Sequence, residues 1–237
     1  MALVRIANKY VVQDIAALVI EHVKAQWPAS LQQFDALQEH NKNRIEHAKR
    51  SGIAQQDLSS LLADPACAIA FALEHSITSI LPAALYELST IDSRHSSRDR
   101  QPGLYVDQTE WIYPVVHWEI VDKDVTLTVL RGRDAIHEAF RESTRRLAEL
   151  IKVPEPDCLE VQGESTCAIA SGRLCKMLYQ RMIYGIPGEQ DPLRALKHFA
   201  AWCRTETCFP CCQMVLDAIE EERQAIWNDL PKFFALE

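Results

Sequence analysis

The stretch that decides the fold is Asp64-Pro65-Ala66-Cys67-Ala68-Ile69-Ala70-Phe71-Ala72-Leu73-Glu74. An aspartate side chain can accept hydrogen bonds from the free backbone N–H groups at a helix start, and proline is tolerated at the first helical position. Asp64-Pro65 therefore predicts that a helix begins here. The residues from Ala66 to Glu74 are mostly small and apolar, which predicts a deeply buried helix.

The segment on the N-terminal side carries an apolar residue at every fourth position, the spacing of one helix face. These residues are Val11, Ile15, Val19 and Val23. We predict one amphipathic helix from Ala2 to Gln26. Trp27-Pro28 ends it, because the residue before a proline is displaced from helical geometry.

Start and stop signals of the same kind recur along the rest of the chain. The further predicted starts are Ser30, Ser79 with Pro82 in its first turn, Thr166, and Asp191-Pro192. The predicted ends are Gly52 and Leu230-Pro231.

Two segments depart from this helical pattern. Residues 92–108 are polar and lack periodicity, which predicts a flexible loop. Thr126 to Val129 alternates polar and apolar residues, which locally favours a strand. The helical pattern returns from Asp134 to Lys152.

These patterns predict an all-α protein of about eight or nine helices, in a bundle-like or solenoid-like arrangement. Composition agrees: 48% of the 237 residues are hydrophobic and only 7 are glycine. The formal net charge of −8 argues against a general nucleic-acid binder, which needs a basic surface. The sequence has neither a long apolar run nor a secretory signal. We therefore expect an intracellular protein, cytoplasmic or nuclear, with reduced cysteines.

A series of short segments follows a distinctive order along almost the whole chain. They are Leu3–Tyr10, Trp27–Leu31, Ala66–Ala70, Leu81–Ser89, Leu130–Arg133, Asp191–Leu193, Cys208-x-x-Cys211 and Trp227–Phe234. In this order the chain resembles fungal, especially basidiomycete, BTB/POZ-domain proteins, in the helical region that follows their BTB fold.

The resemblance implies a division of the chain and a function. Residues 1–30 resemble the helix that closes a BTB fold, and residues 31–237 resemble the helical C-terminal region. It also implies helix at Thr126 to Val129, which we adopt. The BTB fold is expected before residue 1, so the chain is either part of a longer BTB protein or a BTB-less relative.

The function that the resemblance implies is a non-catalytic adaptor that binds another protein. BTB proteins use the BTB fold to dimerise or to dock a cullin, so we expect neither activity from this helical region alone. No small-molecule substrate is inferred, and the partner is a protein that the sequence does not name.

The sharpest chemical signal lies in the cysteines. Cys208-x-x-Cys211 has the spacing with which two thiolates of one tight turn bind zinc. Cys158 and Cys167 form a looser second pair, and the BTB resemblance implies cysteines in similar places. We predict a structural zinc site of Cys158, Cys167, Cys208 and Cys211 that clamps the last helical hairpin to the loop before it.

Other interpretations of the cysteines stay open. Free cysteines are often simply small buried hydrophobes. Cys203 and Cys212 could replace two of the zinc ligands, whereas Cys67 and Cys175 lie on apolar helical faces and are predicted to be core residues. A redox or metal-dependent enzyme or sensor built on the cysteines is the competing function.

Catalytic motifs give little support to an enzyme. The sequence lacks a Gly-x-Ser-x-Gly elbow and a glycine-rich phosphate loop. Each histidine considered as a partner for a cysteine is predicted to be a surface or a satisfied core residue; these are His75, His117, His137 and His198. A weaker alternative is a nucleic-acid-associated regulator that uses the loop from Arg94 to Arg100.

Overall fold

The computed structural model describes residues 13–91, 114–151, 160–161, 164–165, 191–206 and 208–236. This part of the chain is helical, apart from turns and one pair of two-residue strands. It contains seven α-helices of ten residues or more. The predicted all-α class is therefore confirmed, while eight or nine helices for the whole chain stays a prediction.

The elements are named here in chain order. The helices are α1 (Gln13–Ala25), α2 (Leu31–Arg50), the single-turn α3 (Gln55–Leu58), α4 (Pro65–Glu74), α5 (Leu81–Thr90), α6 (Lys123–Ile151), α7 (Pro192–Glu206) and α8 (Phe209–Phe233). The 3-10 turns are Ser59–Leu61, Thr78–Ile80 and Trp118–Ile120. Strands β1 (Glu160–Val161) and β2 (Glu164–Ser165) are antiparallel, with Glu160 opposite Ser165.

The chain forms two compact units. The first comprises Met1–Gly132 and Phe234–Glu237, and the second comprises Arg133–Phe233. This division falls inside α6, whereas the division predicted after residue 30 rests on the BTB resemblance and stays a prediction.

Local sequence signals set the helix ends of the first unit. Ser30 caps α2, and its side chain accepts a hydrogen bond from the backbone of Gln33. Gly52 follows the end of α2 with a φ of 77°, a conformation that glycine adopts without steric cost. Asp64 caps α4, with Pro65 in the first helical position. All three predictions are confirmed.

The core of the first unit lies where α2 and α4 meet α5. Phe34 of α2 and Tyr86 of α5 are almost wholly buried, and their rings pack edge to face with centroids 5.7 Å apart. Gln38 of α2 donates a 2.6 Å hydrogen bond to Glu87 beside this pair. As predicted, α4 is mostly buried, through Ala66, Ala68, Ile69, Phe71 and Ala72.

The second unit is built on the hairpin of α7 and α8. Asp191 begins α7 by accepting a 3.0 Å hydrogen bond from the backbone N–H of Arg194, which confirms the predicted start. The guanidinium of Arg223, on α8, donates to the backbone carbonyl of Leu193 at 3.1 Å. Arg223 is buried, so this bond and its ion pair with Glu220 compensate the loss of water around its charge.

An ion pair joins α6 to α8 in the second unit. The guanidinium of Arg146 donates two hydrogen bonds of 2.6 Å to the carboxylate of Glu222, and the hydroxyl of Ser143 donates a third at 2.7 Å. The Arg146 hydrogen bonds hold the pKa of Glu222 below its ordinary value, although burial opposes them.

The local strand signal at Thr126 to Val129 is wrong, and the helix that we adopted there is confirmed. Asp122 starts α6 by accepting a 2.7 Å hydrogen bond from the backbone of Val125. The helix therefore begins before Asp134, where the periodic pattern placed its start. The cap at Asp122 favours a helix more strongly than the four alternating residues favour a strand. Once the helix has begun, each later backbone N–H finds its hydrogen-bond acceptor within the helix.

Two other helix ends differ from prediction. Ser79 lies in a 3-10 turn, and α5 begins at Leu81 without a side-chain cap. Pro231 lies inside α8, which continues to Phe233. The predicted loop at 92–108, the helix after Thr166 and the part of the first helix before Gln13 lie outside the described residues.

The first helix is less buried than its apolar stripe predicts. Ile15 is exposed, and Val19 and Val23 are only half-buried. Trp27, just after the helix, is buried. In the described part of the chain, no helix combines the length and the apolar character that crossing a membrane requires.

Candidate metal centre

The structure describes half of the predicted zinc site. Cys208 lies just before α8 and is half-buried, and its carbonyl accepts a 2.8 Å hydrogen bond from the backbone of Cys212. Cys211 lies in the first turn of α8 and is buried. Cys158 and Cys167 lie outside the described residues. The four-cysteine site therefore stays a prediction.

The neighbouring cysteines of the hairpin are also buried. Cys203 on α7 is fully buried, and Cys212 on α8 is 8% exposed. Burial, followed by the proximity of Cys212, raises the pKa of the Cys203 thiol to about 12. A thiol with such a pKa is protonated at neutral pH, which is typical of an inert core cysteine.

A different group of metal-binding side chains lies in the first unit, around the start of α4. Among the described residues, Asp64, Cys67 and His117 alone form a group of three potential ligands, with all ligand atoms within 4.8 Å of one another. Asp64 is the cap of α4 and Cys67 lies in the first turn of that helix. His117 directly precedes the 3-10 turn Trp118–Ile120.

Asp64 divides its two carboxylate oxygens between two partners. Its Oδ1 accepts a 2.9 Å hydrogen bond from the backbone N–H of Ala66, the interaction that caps α4. Its Oδ2 faces His117, with Nδ1 of the imidazole at 2.7 Å and the backbone N–H at 3.3 Å. The helix start therefore fixes the position of the carboxylate that orients the imidazole.

Cys67 completes the group from the same helical turn. The residue is exposed, although its thiol is partly enclosed by neighbouring atoms. Burial raises the pKa of this thiol to about 12, and the hydrogen bond and negative charge of Asp64 add to the effect. The prediction that Cys67 is a core residue is wrong, because the first turn of α4 turns this side chain outward.

The chemistry of the three groups decides what they can do. With a pKa near 12 the Cys67 thiol is protonated, and a protonated thiol is a poor nucleophile. A carboxylate, an imidazole and a thiolate are, in contrast, a ligand set that suits zinc. A bound cation would favour the thiolate that the Asp64 carboxylate now disfavours.

Two of the other histidines make interactions of their own. His75 packs against Phe71, with ring centroids 4.5 Å apart. His137 is half-buried, and burial lowers its pKa, followed by the charges of Arg133 and Arg141. His117 was predicted as a surface or satisfied residue, and it is both exposed and hydrogen-bonded.

Sequence reasoning missed this group for a physical reason. Asp64 and Cys67 stand three positions apart, but His117 follows Asp64 by 53 positions. Only the packing of the 3-10 turn beside α4 brings the imidazole to the helix start. The sequence did contain a signal for two of the three ligands. A capping aspartate and a cysteine in the first turn of one helix place both potential ligands near the start of that helix.

Comparison with known proteins adds no relative. No family model matches the chain, and neither the curated proteins nor the solved structures provide a match. The resemblance to BTB proteins therefore stays a prediction that rests on the order of the short segments.

Proposed function

We propose that the chain is a non-catalytic protein–protein interaction module of the BTB type, an adaptor that binds another protein through α1. The observation that carries the proposal is the exposed apolar face of this helix. Ile15 is 47% exposed and Leu18 is 74% exposed, three positions apart on one face. Apolar side chains at this spacing are the anchors with which an amphipathic helix enters a groove.

The charges around this face suggest the chemistry of the partner. Asp14 and Glu21 stand four positions before and three positions after Leu18, so they lie on the same strip of α1, and both are exposed. Glu21 forms a 2.8 Å ion pair with Lys24. We propose a partner with an apolar groove whose rim is basic near Asp14.

The remaining parts of the proposal follow the sequence. We propose eight or nine helices in a bundle-like or solenoid-like arrangement and an intracellular location, cytoplasmic or nuclear. Dimerisation and cullin docking are proposed to require a BTB fold outside residues 31–237.

The alternative functions gain less support. A redox function needs a low-pKa thiolate, whereas the pKa values of Cys67 and Cys203 are both raised. The nucleic-acid alternative rests on Arg94 to Arg100, which lie outside the described residues.

The proposal is tested with a photo-crosslinking amino acid at Leu18, in cells that naturally contain the protein. The matched control places the same amino acid at Leu73, an exposed leucine of α4. We expect one discrete protein adduct from position 18 and none from position 73. Leu18→Ser should then weaken binding of the purified partner roughly tenfold, because burying a leucine is worth about 1.5–3 kcal/mol.

Two results would contradict the proposal. One is the absence of an adduct that depends on position 18. The other is an identified partner that binds the Leu18→Ser and Leu73→Ser variants as tightly as it binds the original protein.

A further inference from the structure

We propose that Asp64, Cys67 and His117 bind a zinc ion at the start of α4, with three protein ligands and a fourth position open to water. This site shares no residue with the predicted site of four cysteines. It also contains no residue of α1, so it does not rest on the proposed adaptor function.

The geometry is close to that of a zinc site. Zinc binds carboxylate oxygen and imidazole nitrogen at about 2.0–2.2 Å and thiolate sulfur at about 2.3 Å. Tetrahedral ligands at these lengths stand roughly 3.3–3.8 Å from one another. The three ligand atoms lie within 4.8 Å of one another, so small side-chain rotations suffice to bring them to an ion.

The hydrogen bond between Asp64 and His117 marks the position that zinc takes. Oδ2 and Nδ1 stand 2.7 Å apart and are held by one hydrogen bond. Zinc would replace the hydrogen of this bond, and the Cys67 thiol would release its proton to solvent. The two atoms would separate by roughly half an ångström to reach tetrahedral spacing. The ligands are already near their bound positions, because Asp64 is fixed by its bond to the backbone of Ala66.

Accessibility decides the type of site. Asp64 is half-buried, whereas Cys67 and His117 are exposed. An ion can therefore enter from solvent without rearrangement of the helices, and water can fill the fourth position. Three protein ligands with an open position distinguish this arrangement from a closed structural site of four cysteines.

Zinc at this site would also link distant parts of the chain. It would tie the segment before Trp118 to the first turn of α4, beside the hydrogen bonds that already join His117 to Asp64. Because only the folded chain brings the three ligands together, bound zinc is expected to raise the melting temperature.

The test is a titration of the metal-free protein with Co²⁺, followed by displacement with Zn²⁺. Cobalt bound to a thiolate gives a charge-transfer band in the near ultraviolet. We expect this band in the original protein and a clear loss of intensity in Cys67→Ser. His117→Gln and Asp64→Asn should each weaken metal binding by more than about 100-fold. Mutation of a residue that only hydrogen-bonds to a metal ligand already lowers metal affinity about 10–100-fold.

A matched control separates this site from the predicted cysteine site. Cys208→Ser removes a ligand of the latter and should leave the signal that depends on Cys67 unchanged. Cys67→Ser is a small change at an exposed position, so the variant should fold, and circular dichroism checks this. Equal cobalt spectra and equal zinc-induced rises in melting temperature for the original protein and Cys67→Ser would overturn the proposal.

Discussion

The ring of Phe234 occupies the space in which a side chain at Gly132 would begin. A Cβ atom built on Gly132 would collide with the ring, and Phe234 is itself buried. Both residues belong to segments on which the predicted BTB resemblance rests, Leu130–Arg133 and Trp227–Phe234. Two residues far apart along the chain therefore meet within the first unit.

This contact predicts the effect of Gly132→Ala. In an exposed helix the change would stabilise by about 1 kcal/mol, because alanine is the better helix former. Here the collision with a buried ring should dominate and lower the free energy of unfolding by about 1–3 kcal/mol. Urea denaturation measures the difference.

A double-variant cycle provides the control for Gly132. Leucine at position 234 is narrower than the phenyl ring, so Gly132→Ala should become neutral or stabilising in a Phe234→Leu background. A destabilisation of the same size in both backgrounds would show that the ring is not the cause.

The ion pair of Arg146 and Glu222 predicts how stability responds to acid. The pKa of Glu222 is lowered from its ordinary value of 4.5 in the folded protein. Its contribution is therefore present above about pH 4.5 and is lost as the pH falls through the lowered pKa. Glu222→Gln should cost roughly 1 kcal/mol at neutral pH, because the bidentate pair is partly exposed, and almost nothing in strong acid.

Glu142→Gln is the matched control for Glu222. Glu142 contacts the same Arg146, at 3.5 Å, from an exposed position on α6. Its replacement should change stability by only a few tenths of a kcal/mol. Unfolding curves of both variants across the acidic range make the comparison. Equal pH dependence of Glu222→Gln and the original protein would contradict the prediction.

The raised pKa of Cys67 predicts slow alkylation despite its exposure. At neutral pH the thiolate fraction is very small, since the pKa is about 12. Asp64→Asn removes the negative charge but keeps a side chain that can cap α4. We expect the metal-free variant to react roughly tenfold faster at Cys67, as read by mass spectrometry of the labelled peptide.

Cys203 serves as the internal control for this experiment. Its pKa is raised by burial and by Cys212, not by Asp64. Asp64→Asn should therefore leave the labelling of Cys203 unchanged. Faster labelling at both cysteines would indicate general loosening, and an unchanged rate at Cys67 would contradict the role of the carboxylate.

The predicted zinc site of four cysteines makes a separate prediction about stability. A structural zinc ion contributes roughly 10–16 kcal/mol of apparent binding energy, so the loss of one ligand has a large effect. Cys208→Ser and Cys211→Ser should lower the melting temperature strongly and by similar amounts, and a chelator should do the same to the original protein.

Burial alone predicts a different pattern for these two variants. Cys211 is buried and Cys208 only half-buried, so without zinc the serine at 211 should be the more damaging. A purified protein without metal, with both variants melting as the original does, would refute the site.

The sequence by itself determined the helical class and many helix ends. The predicted helix starts at Ser30, Asp64-Pro65 and Asp191-Pro192 and the predicted helix end at Gly52 were correct. A capping side chain or a glycine in the left-handed conformation acts on backbone groups within a few positions of itself, so its effect can be inferred from local sequence. The wrong predictions were also local. The alternation at Thr126 to Val129 locally favoured a strand, and Pro231 was predicted to end the last helix. Both lie inside longer helices, Lys123–Ile151 and Phe209–Phe233.

Only the tertiary structure decided which distant side chains meet. It placed His117 against Asp64, Glu222 against Arg146 and Phe234 against Gly132. It also left Leu18 exposed although its helix carries an apolar pattern. Periodicity shows which face of a helix is apolar, but what covers that face depends on the packing of elements far apart in the chain, and no local backbone preference encodes it.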